Sequence, residues 1–522
     1  MDERWAGALA LLPGYAAQHM LLSMAALALG IAISLPLAIV ASRRPRLRFF
    51  ALATASLAQT IPGLALLALF YPLLLALSAL TMRTFGFAVP ALGFLPSLLA
   101  LTIYSMLPIL RNAVTGLDGV DRDYIDAADG VGMTPGQRLT RIELPLAAPV
   151  IMAGIRTAAV WTIGIATLST AVGQTSLGNY IFSGLQTENW VYVLTGCIAV
   201  VALAMFVDQV LGLIEAGVAL RDRRRIVAGI VALLVATAAA AAPLVTGRGA
   251  DYVFGAKNFS EQYILASLMA SRIEAEGQRA GLKEGLGSAV IFRALAGNEI
   301  DAYVDYSGTL WTNVMERRDV PPRAAMLEEL TRFMREKYGV TVLGSLGFEN
   351  AYGLAMRTNR AAALGVRTIS ELAPHAPQLA LGSDLEFLSR PEWTALRNAY
   401  RLAFREERSF NPTFMYRALQ DGLVDVISAF TSDGRLAGDR LVVLDDNRHA
   451  IPSYDAVILL APKRANDEVL RRALTPLIGA ISVETMRQAN YMLDRDTDKA
   501  SLADAVRFLA ANLKQMPQAG KN

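Results

Sequence analysis

The chain has 522 residues, 54% of them hydrophobic and only 18% charged, with a formal net charge of +3. A charged share well under the roughly 25% of soluble globular proteins, with a mean hydropathy of +0.37, argues against a wholly water-soluble chain and for a membrane protein. The small net charge argues against nucleic acid as a partner, because the arginines gather beside apolar runs, where membrane topology accounts for them.

Residues 1–250 hold nearly all the long apolar runs, and residues 251–522 carry charge throughout, so two bodies in different solvents are expected. The lone cysteine, Cys197, allows no internal disulfide, and His19, His375 and His449 form no metal-ligand spacing. The first apolar run starts near His19 and meets Arg43, Arg44, Arg46 and Arg48, a stop-transfer pattern that reads as an anchor. Taking about 20 residues per crossing, spans fall near 19–41, 50–80, 93–117, 147–171, 191–218 and 226–245. The second is too long for one straight span and contains Pro62 and Pro72, so a kink, a break or an extension outside the membrane is expected there. Arginine collects on cytoplasmic flanks. With six spans, the clusters at Arg43–Arg48 and Arg221–Arg225 share one side only if the N-terminus is outside. That places residues 118–146 in the cytoplasm and residues 172–190, with everything after 250, outside.

The cytoplasmic segment reads "IDAADGVGMTPGQRLTRIELPLAAP" over 125–149. Ala127, Ala128 and Val131 are predicted on one side of a short helix, Gly132 allows a turn, and Leu139 and Ile142 continue a helix that Pro145 helps to end. A short amphipathic helix displayed between two spans suits docking into a partner's groove. Asp126-Ala127-Ala128, Gly132 and Ile142-x-Leu144-Pro145 stand at the spacing of the EAA loop of bacterial ABC-importer permeases, which the segment resembles, with Asp126 in place of the usual Glu. The resemblance implies that this loop sits in the cleft of an ATPase subunit. "QTIPGLALLAL" (59–69), "YSMLPILRNAVTGL" (104–117) and "TAVGQTSLGNYIFSGLQ" (170–186) are similar to segments of permeases for glycine betaine, carnitine and choline. Such importers pair two permease subunits, here expected to be a homodimer, with two ATPases. The sequence has no G-x-x-x-x-G-K-[ST], so ATP and Mg are expected on the partner ATPase and no cofactor on this chain.

Beyond the last span, "GRGADYVFGAKNFSEQYILASLMA" predicts a strand, a polar turn and an amphipathic helix carrying Ile264, Leu265, Leu268 and Met269. "DAYVDYSGT" (301–309), "GFENAYGLAM" (347–356), "LGSDLEFLSRPEW" (381–393), "DVISAFTSDGRL" (425–436) and "IPSYDAVILL" (451–460) each join an apolar stretch to a polar turn, which predicts α/β architecture. Their order and spacing resemble the substrate-binding protein of the same importers, which implies two lobes with two chain crossings, near residues 348 and 450.

The expected fold is therefore multi-domain: an all-α polytopic permease followed by an α/β two-lobed periplasmic-binding-protein-like domain. The expected boundaries are a permease over 1–225 with its coupling loop at 123–145, and a further span and linker over 226–250. The binding domain is expected over 251–522, with lobe 1 at about 251–347 and 452–522 and lobe 2 at about 348–451.

The ligand implied is a quaternary ammonium solute, glycine betaine, choline or carnitine. It has no N–H to donate, so aromatic faces must attract it, at about 0.5–2 kcal/mol per contact. Tyr303, Tyr306, Tyr352, Phe430 and Tyr454 are the candidate rings. Tyr303 and Tyr306 face opposite sides of a regular strand, and Tyr306 is the stronger choice. Asn258, Gln262, Asn350, Thr431, Asp433 and Arg435 are the candidate polar groups, with Arg435 either forking onto a ligand carboxylate or bracing its own turn. Where the family often has two adjacent tyrosines this chain has Tyr454-Asp455. Similar fused proteins handle ergothioneine, so that solute is the alternative. A membrane-anchored sensor is the rival of a different class, disfavoured by six spans, and no enzyme motif is found. The expected setting is a bacterial inner membrane.

Overall fold

The computed structural model describes residues 3–513 apart from 88, 187–188, 247–249, 385–386, 411, 439–440 and 496–497. The end of the expected 226–250 linker, Glu386 and the last nine residues of the expected binding domain lie outside the described residues. The chain divides into two compact units, residues 1–182 with 191–249, and residues 183–190 with 250–522.

The first unit is helical: α1 (Glu3–Ser42), α2 (Pro45–Thr60), α3 (Gly63–Phe85), α4 (Phe94–Asp118), α5 (Arg122–Gly130), α6 (Pro135–Arg138), α7 (Leu144–Ala166), α8 (Gly178–Gln186), α9 (Trp190–Ala219) and α10 (Arg223–Thr246). Six stretches among the described residues are long and apolar enough to cross a membrane: Leu11–Ser42, Gly63–Phe85, Phe94–Asp118, Pro135–Val172, Trp190–Ala219 and Arg223–Ala242. The core joins Met20, Met24 and Leu27 of α1 to Leu107, Leu110 and Ala113 of α4 and Ile151, Ile155 and Ala158 of α7.

One expectation is met here and one changes. The 50–80 run is two helices, broken at Ile61-Pro62, where proline removes a backbone donor. The freed carbonyl of Ile61 accepts the Tyr104 hydroxyl, and Gln59 Nε2 reaches back to Tyr104 O at 3.1 Å, so α4 satisfies the break. Pro145, expected to end a helix, stands in the first turn of α7 instead. The turn before it, Leu139–Glu143, is a π-helix whose wider ring closes with Leu144 N–H on Leu139 O, and this accommodates a residue that has no N–H to give.

The second unit is built on two five-stranded sheets. Strands β1 (Tyr252–Lys257), β2 (Ala280–Leu286), β3 (Ala302–Tyr306), β4 (Thr341–Glu349) and β10 (Asp455–Leu460) form the first, in the order β2-β1-β3-β10-β4. Strands β5 (Tyr352–Arg357), β6 (Ala380–Asp384), β7 (Glu406–Phe410), β8 (Val426–Phe430) and β9 (Leu441–Leu444) form the second, in the order β7-β6-β8-β5-β9. The chain passes between sheets twice, from Glu349 to Tyr352 and from Leu444 to Asp455. Helix α11 (Ser260–Ala275) follows β1 directly and buries Ile264, Leu265, Leu268 and Met269.

Candidate functional site

A cavity of about 200 Å³ opens between the two sheets, at the ends of β1, β3, β5 and β8. Six rings line it: Phe259 and Tyr306 from the first lobe, Tyr352, Tyr416 and Phe430 from the second, and Tyr454 from the crossing segment. Phe259 lies nearly parallel to Phe430, with centroids 6.1 Å apart, and 6.2 Å from the Tyr306 ring. Tyr352 is 4.7 Å from Phe430 and stands edge-on to Tyr454 at 6.2 Å. Rings grouped in this way offer their negative faces to a soft cation.

The most heavily bonded group at the cavity is Glu261. Its carboxylate accepts Tyr306 Oη at 2.5 Å, Asn350 Nδ2 at 3.1 Å, Ser432 Oγ at 2.5 Å and Asn490 Nδ2 at 2.9 Å. Burial pushes its pKa up, and those four donors oppose the rise. The donors come from both lobes and the first crossing, so this one carboxylate ties the lobes together. Lys257 is buried against Asp305, which also accepts Tyr303 Oη at 2.5 Å. Arg390 donates to Tyr352 Oη at 2.9 Å, and Glu392 accepts the Tyr454 hydroxyl.

Of the residues expected from sequence, Asn258, Tyr306, Asn350, Tyr352, Phe430, Asp433, Arg435 and Tyr454 line the cavity. Three do not. Tyr303 is fully buried on the far side of β3, because residues three apart on a regular strand face opposite ways. Gln262 braces the turn, accepting Lys257 N–H at 3.3 Å and donating to Tyr306 Oη at 3.0 Å. Thr431 Oγ1 accepts Ala351 N–H at 2.9 Å, fixing the exit of β8 to the crossing. Arg435 takes the bracing role: it donates from Nε and Nη2 to Asp433, both at 3.2 Å, and covers the Tyr416 ring at 4.1 Å. Asp455 is not on the cavity wall: it accepts a fork from Arg323 and a hydrogen bond from Ser345 at 3.2 Å.

Sequence reasoning passed over Phe259, Glu261, Arg390, Asn490 and Asp494, all on the cavity wall. The first two stand inside the quoted "KNFSEQ" and were legible there. Asn490 comes from the helix Val483–Asp494, far along the chain, and nothing local marks it.

Burial raises the Asp494 pKa from 3.8 to about 6, against the pull of Arg435. A carboxyl that keeps its proton more firmly folded than unfolded stabilises most at low pH. That contribution is complete below about 3.8 and fades as pH rises through about 6. Compared with Asp494→Asn, the unaltered fragment 251–522 should therefore lose stability on the order of 2 kcal/mol between pH 4 and pH 7 in urea melts. A difference independent of pH would contradict this account.

In the first unit, α5 leaves Asp126, Ala127 and Tyr124 exposed, as is Val131 just past its end, the last two 56% and 74% exposed. Ala128 departs from the expected common face: it is buried against its own unit, since residues 127 and 128 are 100° apart on a helix. Gly132 has φ +78 and open space around it. Ile142 and Leu144 are half-buried, and Pro145 is exposed. Arg138 links Asp129 at 2.7 Å to Glu143 at 2.8 Å, and Arg43 reaches Glu143 at 3.0 Å, so the segment is fastened to the arginine-flanked end of α1.

Two families of known proteins match the chain. Residues 250–511 match the substrate-binding domain of ABC-type glycine betaine transport systems, and residues 30–220 match the inner membrane component of binding-protein-dependent transport systems. An ergothioneine transport permease/ergothioneine binding protein of Helicobacter pylori (strain G27) is 27% identical over 86% of this chain and 81% of its own length. A choline transport system permease protein of Bacillus subtilis (strain 168) is 39% identical over 38% of this chain and 84% of its own. Among solved structures, a glycine betaine/carnitine/choline ABC transporter protein is 25% identical, with a TM-score of 0.44, over 49% of this chain and 96% of its own.

Proposed function

The chain belongs to the glycine betaine-type ABC importers, with permease and substrate-binding domain in one polypeptide, and from that premise we propose that it imports a trimethylammonium solute. The observation that carries the proposal is the set of six rings around one cavity that Glu261 also lines. A methylated cation placed among Phe259, Tyr306, Tyr352, Phe430 and Tyr454 gains cation–π attraction and covers apolar surface. Closure of the lobes over it completes the bonds to Glu261. Betaine, carnitine and choline are the solutes carried by relatives of the permease part. Ergothioneine is the second reading, favoured by the fused relative that matches across both halves.

The binding unit works outside the membrane and the segment 123–145 works in the cytoplasm, where Asp126, Ala127 and Val131 meet a separate ATPase that binds ATP and Mg. The arginines at both ends of that side, and the exposure of α5, support this orientation. Two copies of the chain form one importer. Fusion makes docking of the receptor intramolecular, at an effective concentration of order millimolar.

Calorimetry on the full chain in lipid nanodiscs should give saturable heat with at least one of glycine betaine, carnitine, choline and ergothioneine. Heat with none of the four would overturn the proposal. Phe259→Ala should weaken that binding by roughly 3- to 30-fold, the loss of one ring face, and unchanged affinity would remove Phe259 from the cage.

A further inference from the structure

Within the spans, α7 and α9 share a charged cluster that their own unit leaves half open. Arg156 donates from Nε and Nη2 to Asp208, at 3.0 and 2.8 Å, and from Nη1 to Glu215 at 2.7 Å. The three side chains keep 32%, 27% and 26% exposure, and the cluster carries one net negative charge. Arg111 of α4 is exposed and has no hydrogen bond or ion pair among the described residues. At 1.5 Å per residue, Asp208 and Glu215 stand roughly 16 and 6 Å from the end of α9, and Arg111 roughly 10 Å from the end of α4. Arg156, roughly 18 Å into α7, pairs with Asp208, so α9 ends at the level where α7 begins and α4 stops.

Neither group can face hydrocarbon, where a charge is costly and finds no partner. We infer that the Arg156–Asp208–Glu215 face is where a second copy of this chain packs, with Arg111 of each copy directed at the acidic cluster of the other. A two-fold axis along the membrane normal keeps every residue at its own depth, so charges can pair across it only if their depths agree. They do, and the signs are opposite. Such a contact is self-complementary: α4 of one copy meets α9 of the other, and the reverse contact follows by symmetry. The inference rests on the two-copy reading proposed above and adds the surface.

The test uses the full chain carrying Cys197→Ala, which removes the exposed native thiol. An Arg111→Cys copy with one tag is co-expressed with a Gln209→Cys copy with another, and membranes are oxidised with copper phenanthroline. The expected result is a disulfide-linked pair carrying both tags. Arg111→Cys with Leu234→Cys, on the exposed side of α10, should stay unlinked. If the tags co-purify but 111 and 209 do not link, or if 111 links to 234, the surface is wrong while the two-copy reading stands. If the two tags never co-purify, the two-copy reading itself fails, and this inference with it.

Discussion

Gly434→Ala should weaken solute binding by about 100-fold without unfolding either lobe. Gly434 lies between Asp433 and Arg435 on the second lobe, and a Cβ there would stand 2.2 Å from Tyr491 N and 2.4 Å from its Cα, on the first-lobe helix Val483–Asp494. Those are backbone atoms of a helix packed into the core, so they cannot turn aside as a side chain tip would. The lobes must separate at this point by about 1 Å to relieve the overlap. Three bonds span the same contact: Ser432 Oγ to Glu261, Asn490 Nδ2 to Ser432 O at 2.9 Å, and Arg487 Nη2 to Thr431 O at 2.7 Å. At about 0.5–1.5 kcal/mol for a neutral bond and 1.5–3 kcal/mol for one to a charge, stretching them costs the closed form about 3 kcal/mol or more. Titration calorimetry would read the affinity, and circular dichroism would confirm that both sheets are intact. Near-normal affinity would mean that this contact takes no part in closure.

Gly132→Val should abolish uptake while leaving solute binding unchanged. Here space is not the obstacle, since nothing lies within 4 Å of the position a Cβ would take. The backbone is: φ +78 is open to glycine and strained for any β-branched side chain, by about 1–2 kcal/mol. The turn can relieve that strain only by moving α5 relative to α6, and α6 is held through Arg138 to Glu143 and Arg43. The exposed face of α5 is then displaced from the position in which, on the function proposed above, it meets the ATPase. Counterflow or ATP-driven uptake in reconstituted vesicles, read beside equilibrium binding on the same preparation, separates the two effects. Wild-type uptake by the variant would mean that the turn does not transmit motion between ATPase and permease.

The chain's division into an apolar helical half and a charged α/β half, the six membrane-length apolar helices and the break at Pro62 all follow from the sequence alone. Hydropathy, proline and strand alternation act over short stretches, so the cause and the signal lie in the same few residues. Alternation along β3 says only that Tyr303 and Tyr306 face opposite sides; the nearness of Tyr306 to the turn is what favours it as the ring that reaches the cavity. Tertiary structure decided what depends on residues distant in the chain. Glu261 draws its four donors from positions 306, 350, 432 and 490, and no local pattern says that these converge. Arg435 turned to its neighbour Asp433, Asp455 turned to Arg323, and Pro145 stayed helical behind a π turn, each because burial or a vacant donor position fixed the partner. The physical reason is that a buried polar group must be satisfied by whatever the fold brings within about 3 Å. Only the assembled lobes set that distance.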